Sequence, residues 1–185
     1  MQPDLFSPSH MQIATLRPGQ IDIVRRALDP EHYQELVVEI GEMNLEFQQR
    51  YPRRLFTHHQ HQPWLQEYFT QLIETVRPNC SIQQIFLGLE LPGAEFFIHR
   101  NHPNIGTVIC YSVDDMDQVQ FRVVDSQTDQ NYFSGIQAEQ QNMQYQDWPF
   151  EANSAIVIRD SDSLWGFSTH LARNSVKRSV WIYLN

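Results

Sequence analysis

The sequence is poor in cysteine, in glycine, in positive charge and in long apolar runs, and each shortage closes off a class of protein. Two cysteines in 185 residues, Cys80 and Cys110, form no spacing motif, so neither a disulfide framework nor a cysteine-built zinc site is expected. Cys110 lies inside an apolar strand-like run, which points to a buried thiol in a reducing, cytoplasmic compartment. Only seven glycines are present, and no Gly/Ser-rich linker divides the chain, so residues 1–185 read as one domain. Lys+Arg number 13 against 22 Asp+Glu, a formal net charge of -9, which argues against nucleic acid or an anionic membrane as the main partner. No stretch approaches the roughly 18 apolar residues of a membrane span. The opening "MQPDLFSPSHMQ" has no basic segment leading into an apolar one, so no secretory signal is expected.

What is present is an ordinary globular share of apolar residues, 41%, whose period changes near residue 80. Residues 1–79 read as a helical part. "DPEHYQELVVEIGEMNLEFQQRY" opens with Asp29 as N-cap and Pro30 at the first helical position. Tyr33, Leu36, Val37, Ile40, Met43 and Phe47 follow at spacings of three and four and make one apolar face. A second helix is expected between Pro63 and Pro78, with Trp64, Leu65, Tyr68, Phe69, Leu72, Ile73 and Val76 as its stripe. From residue 81 the runs become short and alternating: "SIQQIFLGLEL", "AEFFIHR", "GTVICYSV", "QVQFRVV", "NYFSGI", "NMQYQDW", "SAIVIRD", "LWGFSTH" and "KRSVWIYLN". Turn-like "LPG", "HPN", "DDMD", "SQTDQ" and "DSDS" separate several of them. Successive short strands without intervening helices imply an antiparallel sandwich or barrel over residues 80–185, with two helices on one outer face.

Histidine is the residue most open to chemistry. His58, His59 and His61 crowd a polar loop that offers no fixed geometry, so a solvated loop is the plainer reading. On a strand, residues i and i+2 share a face. If His99 points into a barrel, Asn101 therefore points with it, and His102 turns away. His170 ends one strand and Arg178 begins the next, across the turn "LARNSVK". A metal-binding histidine beside an arginine that forks onto a carboxylate suits a metal-chelating keto acid. Tyr111, on the strand after His99, reads equally as an aromatic of the barrel wall or as a hydrogen-bonding phenol, and Arg122 is a weaker candidate for an anion contact. Asp160 and Asp162 fall in a turn signal and read as solvent-exposed.

Taken together, His99-x-Asn101, His170 and Arg178 resemble the pattern of the iron(II)- and 2-oxoglutarate-dependent oxygenases. That pattern is a His-x-Asp early in a double-stranded β-helix, a distal His late in the chain, and an Arg on a following strand. Within that superfamily, "LPGAEFFIHRNHPN" looks most like the aspartyl/asparaginyl β-hydroxylase branch and its amino-acid (proline) hydroxylase relatives, and Asn174 follows His170 at the branch's four-residue interval. The resemblance implies a double-stranded β-helix, a jelly-roll or cupin-like barrel. It implies Fe(II) and 2-oxoglutarate as cofactors, His99, Asn101 and His170 as metal ligands, and Arg178 with Tyr111 on the cosubstrate. It implies a dioxygenase that hydroxylates an amino acid, a peptide or a peptidyl side chain, so the expected partner is a small-molecule or peptide substrate. The departures from the pattern are Asn101, an amide where the family carries Asp, a His170-to-Arg178 interval of eight residues where about ten is usual, and the strand "TVICYSV", which lacks the branch's Arg or His.

Two other readings stay open. One is a catalytically silent barrel that binds a ligand or peptide without turnover, for which Asn101 is the motive. The other is a cupin-type metal-binding barrel with "HRNH" as its first motif, although "HRNHPNIGTV" lacks the Glu such a site needs.

Overall fold

The computed structural model describes residues 10–57, 62–94, 97–101, 106–116, 119–125, 132–134, 142–159, 163–167 and 176–185. Its elements run β1(Gln12–Arg17), β2(Ile21–Arg25), α1(Pro30–Glu42), β3(Phe47–Tyr51), β4(Arg54–Thr57), α2(Pro63–Val76), β5(Ile82–Glu90), β6(Phe97–His99), β7(Thr107–Ser112), β8(Gln120–Val124), β9(Tyr132–Ser134), β10(Tyr145–Pro149), β11(Ser154–Ile158), β12(Leu164–Phe167) and β13(Lys177–Leu184). An eight-stranded sheet has the order β1-β2-β11-β7-β13-β5-β4-β3, and a five-stranded sheet the order β10-β8-β12-β6-β9. Pairing within both sheets is antiparallel. This is the expected double-stranded β-helix, with the two helices against the large sheet. No helix among the described residues is long and apolar enough to cross a membrane.

The helices form where capping and stripe coincide. The Asp29 side chain accepts hydrogen bonds from the backbone N–H groups of Glu31 and His32, and Pro30 fills the first turn. The chain leaves the helix at Met43, which is extended (φ -72, ψ 133), so Phe47 begins β3 instead of extending the apolar face of α1. The part ahead of residue 80 is thus not helical alone: β1 to β4 lie there and extend the large sheet at both ends. In β2, Ile21 and Ile23 pack to one side of the sheet and Val24 to the other, a period-two pattern too short to stand out beside the helical stripes.

Two apolar layers result. On one side of the large sheet, Leu36 and Ile40 of α1 and Leu65, Phe69 and Leu72 of α2 pack on Ile109, Tyr111, Val180 and Ile182. On the other side, Phe56, Phe86, Cys110, Ile156 and Trp181 of the large sheet meet Phe121, Val123, Trp165 and Phe167 of the small one. Alternation along β13 sorts its side chains between the layers, with 180, 182 and 184 toward the helices and 181 toward the barrel interior.

Candidate active site

His99 ends β6, which is held between β12 and β9 with His99 opposite Trp165 and Tyr132. Ile98 joins Val124 and Leu164 in a small outer cluster, so its neighbours Phe97 and His99 turn inward. The close approach of β6 to β12 depends on Gly166, because a Cβ there would land on the Phe97 carbonyl oxygen. The His99 ring packs against the Trp165 indole, centroids 4.5 Å apart. Burial lowers the His99 pKa from its ordinary value, against a hydrogen bond to the Phe97 backbone that acts the other way. The ring is therefore neutral at pH 7 and keeps a lone pair. Two residues on, Asn101 is 7% exposed and its Nδ2 has no hydrogen-bond partner among the described residues. The Trp165 indole N–H is likewise buried without a partner among the described residues. Buried donors are normally satisfied, so these two beside one histidine mark a polar spot in an aromatic layer.

His99 and Trp165 form part of the wall of a cavity of about 290 Å³ between the two sheets. Eight of its twelve lining residues are aromatic; the other four are His99, Arg50, Arg54 and Arg100. Arg54 is the innermost cation. Its Nε and Nη2 donate to Glu90 at 2.6 and 3.1 Å, and both side chains are almost fully buried. The Ser179 hydroxyl donates to the same carboxylate at 3.2 Å, and the Trp181 indole donates to Ser179 at 3.0 Å. The guanidinium also lies over the rings of Phe56 and Trp181, 5.4 and 5.6 Å from their centroids. Burial alone would lower the Arg54 pKa; the Glu90 carboxylate overrides it, and the pKa is raised. The pair was not singled out in the sequence, yet a signal existed. Arg54 alternates with Phe56, and Glu90 with Gly88 and Phe86, so each is a charge on the inward face of an apolar strand, and buried charges come in pairs.

The register corrects the expected facing of Arg178 and Tyr111. Arg178 lies in phase with Val180 and Ile182, on the helix side of the sheet. Its Nε and Nη2 donate to the Asp114 carboxylate at 2.9 and 2.6 Å, and Nη1 donates to the Val37 carbonyl of α1 at 3.4 Å. Tyr111 packs against Phe69 of α2, centroids 4.8 Å apart, and its hydroxyl donates to Asn153 Oδ1 at 3.1 Å. The sheet separates both from His99. Arg122 turns to the outer face of the small sheet, paired with Asp147 through two 2.7 Å bonds and lying 3.6 Å over the Tyr145 ring. His170 and Asn174, the His58–His61 cluster, His102, Asp160 and Asp162 lie outside the described residues. Among the described residues no group of three or more His, Cys, Asp or Glu side chains stands ready to hold a metal. The thiol of Cys110 is buried in the barrel layer, and burial pushes its pKa well up.

No protein-family model matches the sequence, and no curated protein matches it. Solved structures do match in shape. HygX from Streptomyces hygroscopicus, with nickel, 2-oxoglutarate and hygromycin B bound, superposes with a TM-score of 0.67 at 8% identity, over 90% of this chain and 82% of that one. A 2OG-Fe(II) oxygenase family oxidoreductase from Burkholderia pseudomallei gives 0.60 at 11% identity, over 92% and 86%. The prolyl hydroxylase of Trichoplax adhaerens, in complex with a hypoxia inducible factor oxygen degradation domain peptide fragment, gives 0.60 at 11% identity, over 91% and 84%. At such identities the likeness is one of fold: this chain is built on the same double-stranded β-helix as those oxygenase structures.

Proposed function

We propose that the protein is an iron(II)- and 2-oxoglutarate-dependent oxygenase that hydroxylates an amino acid, a peptide or a peptidyl side chain, as in the hydroxylase branch its sequence resembles. What supports this most is the His99 site: a neutral imidazole and a buried amide beside an arginine-lined cavity, on a fold whose solved examples hold nickel and 2-oxoglutarate. The donor set fits a divalent first-row metal. His99 would supply one nitrogen, Asn101 its amide oxygen, and His170 the second imidazole. Iron(II) bound there supplies oxidation of an unactivated C–H bond with oxygen and a keto acid. The chain itself binds and orients. An anionic cosubstrate would meet its cations at Arg54, Arg50 and Arg100, inside the barrel and at its mouth. The aromatic walls exclude water from the reacting carbon.

The test is calorimetric titration with Mn(II) or anaerobic Fe(II), then with 2-oxoglutarate, followed by an assay of succinate release. His99→Ala should abolish saturable metal uptake. Unchanged uptake in that variant would remove His99 from the site. The silent barrel is the second reading, favoured by Asn101 in the ligand position; metal-independent ligand binding with no succinate formed would select it.

A further inference from the structure

We propose that Arg53 is a positioning residue of the cavity. Its side chain clamps the β3–β4 turn to the corner after β5, and so holds the hairpin wall of the cavity in place opposite the His99 wall. This goes beyond the oxygenase reading and rests on it only for the keto acid used below as one probe. The hairpin of β3 and β4 supplies Arg50, Tyr51, Arg54 and Phe56 to the cavity lining. β3 is the last strand of the large sheet. A terminal strand is paired along one edge only, so contacts made at its turn weigh more in deciding where it sits.

The turn carries an uncommon residue for its backbone. Arg53 follows Pro52 and has a φ of 59°. Proline followed by a left-handed residue is the arrangement of a type II turn, where glycine fits best. An arginine there is strained, and such strain persists only where the surroundings hold it. Here they hold it twice. The Arg53 carbonyl accepts from the Leu91 N–H at 2.8 Å, and Nη1 donates to the Pro92 carbonyl at 2.7 Å. Gly93, at φ 74°, makes room for the guanidinium, because a Cβ there would stand 2.7 Å from Arg53 Nη1. Leu91 to Ala94 is the corner at which the chain leaves β5 of the large sheet for β6 of the small one. The Ala94 N–H closes it on the Leu91 carbonyl at 2.9 Å, and Ala94 is fully buried in the barrel layer. Arg53 therefore joins the hairpin to the link between the cavity's two walls. Glycine at 53 would suit the backbone, but only a long donor reaches the corner.

The experiment uses the full chain with 5-fluorotryptophan in place of its four tryptophans, the fluorine resonances assigned by single Trp→Phe variants. Trp181 lines the cavity beneath Arg54, whereas Trp64 lies on α2. Arg53→Gly should keep the parent's urea midpoint, since glycine relieves the left-handed backbone while loosening the unfolded chain. It should nevertheless shift the Trp181 resonance and expose it to a neutral gadolinium chelate, with Trp64 unmoved. By calorimetry on Mn(II)-loaded protein, Arg53→Gly should weaken 2-oxoglutarate about tenfold through lost preorganisation, with Mn(II) affinity unchanged. Arg53→Lys, which keeps a donor for the Pro92 carbonyl, should restore most of that affinity. Gly93→Ala should disturb Trp181 more in the parent than in Arg53→Gly, because its Cβ collides with the Arg53 guanidinium. An Arg53→Gly protein with the parent's Trp181 resonance would overturn the proposal. So would a loss of affinity that only follows a fall in the urea midpoint, or equal effects of Gly93→Ala in both backgrounds. Failure of the oxygenase reading is separable. If the parent takes up neither metal nor keto acid, that reading falls and the Trp181 resonance alone decides this proposal. If Arg53→Gly binds the keto acid and releases succinate as the parent does, this proposal falls and the reading stands.

Discussion

Asn101 is the residue on which the chemistry turns. An amide in place of a carboxylate removes one negative charge from beside the metal, yet it avoids the cost of an ionised group buried without a counter-ion. Asn101→Asp should therefore act in opposite directions with and without metal. The metal-free variant should melt lower than the parent, because a carboxylate then sits at a position 7% exposed. Mn(II) affinity should rise by roughly tenfold, equivalent to about 1.4 kcal/mol, and the loss in melting temperature should be recovered on adding the ion. Thermal melts with and without Mn(II), beside calorimetry, read both effects. A variant with unchanged metal affinity would place residue 101 away from the metal. Arg178 gives the complementary test. Its fork is engaged by Asp114 and it lies on the helix side, so Arg178→Ala should leave 2-oxoglutarate affinity unaltered. It should lower unfolding stability by about 1–2 kcal/mol, between the values for exposed and buried pairs. Urea denaturation and keto-acid titration of the same variant separate the two roles.

At the level of elements, the site is held by the short strand β6 and its contact with β12. Gly166 is the hinge of that contact, since a Cβ there would overlap the Phe97 carbonyl. Gly166→Ala should push β6 off β12, cost about 1–3 kcal/mol as overpacking does, and weaken metal uptake at His99 in step. Retained metal affinity at full stability would mean that β6 is not fixed by this contact. The helices offer an independent check. Burial and the hydrogen bond to Glu39 on α1 push the Tyr68 hydroxyl up to about 12 from 10.0. The unfolded chain then loses this proton first, so stability should fall as pH rises from about 10 to about 12, and Tyr68→Phe should show a shallower fall in alkaline melts. The elements themselves were legible in the sequence wherever period and punctuation agreed. Asp29–Pro30 and Pro63 mark the starts of both helices, and all nine alternating runs after residue 81 contain a strand. Period two tied Asn101 to the face of His99 but left open which face that is; the inward phase of His99 comes from the register of β6 and β12. What was not legible is which of two buried faces a strand residue takes. β13 is buried on both sides, so apolarity carries no phase, and Arg178 and Tyr111 could be assigned only by register. Phe47 misled in the same way, continuing the spacing of α1 after the backbone had already turned extended at Met43.

For the molecule as a whole, the large sheet is a partition with apolar layers on both sides and one ion pair set into its barrel face. Arg54 and Glu90 join β4 to β5, and Ser179 and Trp181 tie β13 to the same carboxylate. Such a pair costs desolvation on forming, so its presence in an aromatic layer is not explained by stability alone. It keeps a permanent cation at the bottom of the cavity while cancelling most of its field in the surrounding apolar layer. Glu90→Gln would leave the Arg54 charge buried without its counter-ion, and removal of one partner of a buried pair costs on the order of 3–5 kcal/mol. The variant should therefore unfold at markedly lower urea. If the cavity takes an anion, the guanidinium released from Glu90 becomes a stronger site for it. Added carboxylate should then stabilise Glu90→Gln more than it stabilises the parent, in proportion to the logarithm of its concentration over the dissociation constant. Replacing both partners, Arg54→Met with Glu90→Gln, should restore much of the lost stability and abolish the response to carboxylate. Urea titrations of the three proteins across a range of 2-oxoglutarate concentrations measure both quantities at once. If Glu90→Gln proved as stable as the parent and gained nothing from the anion, Arg54 would be neither the barrel's structural charge nor part of its anion site.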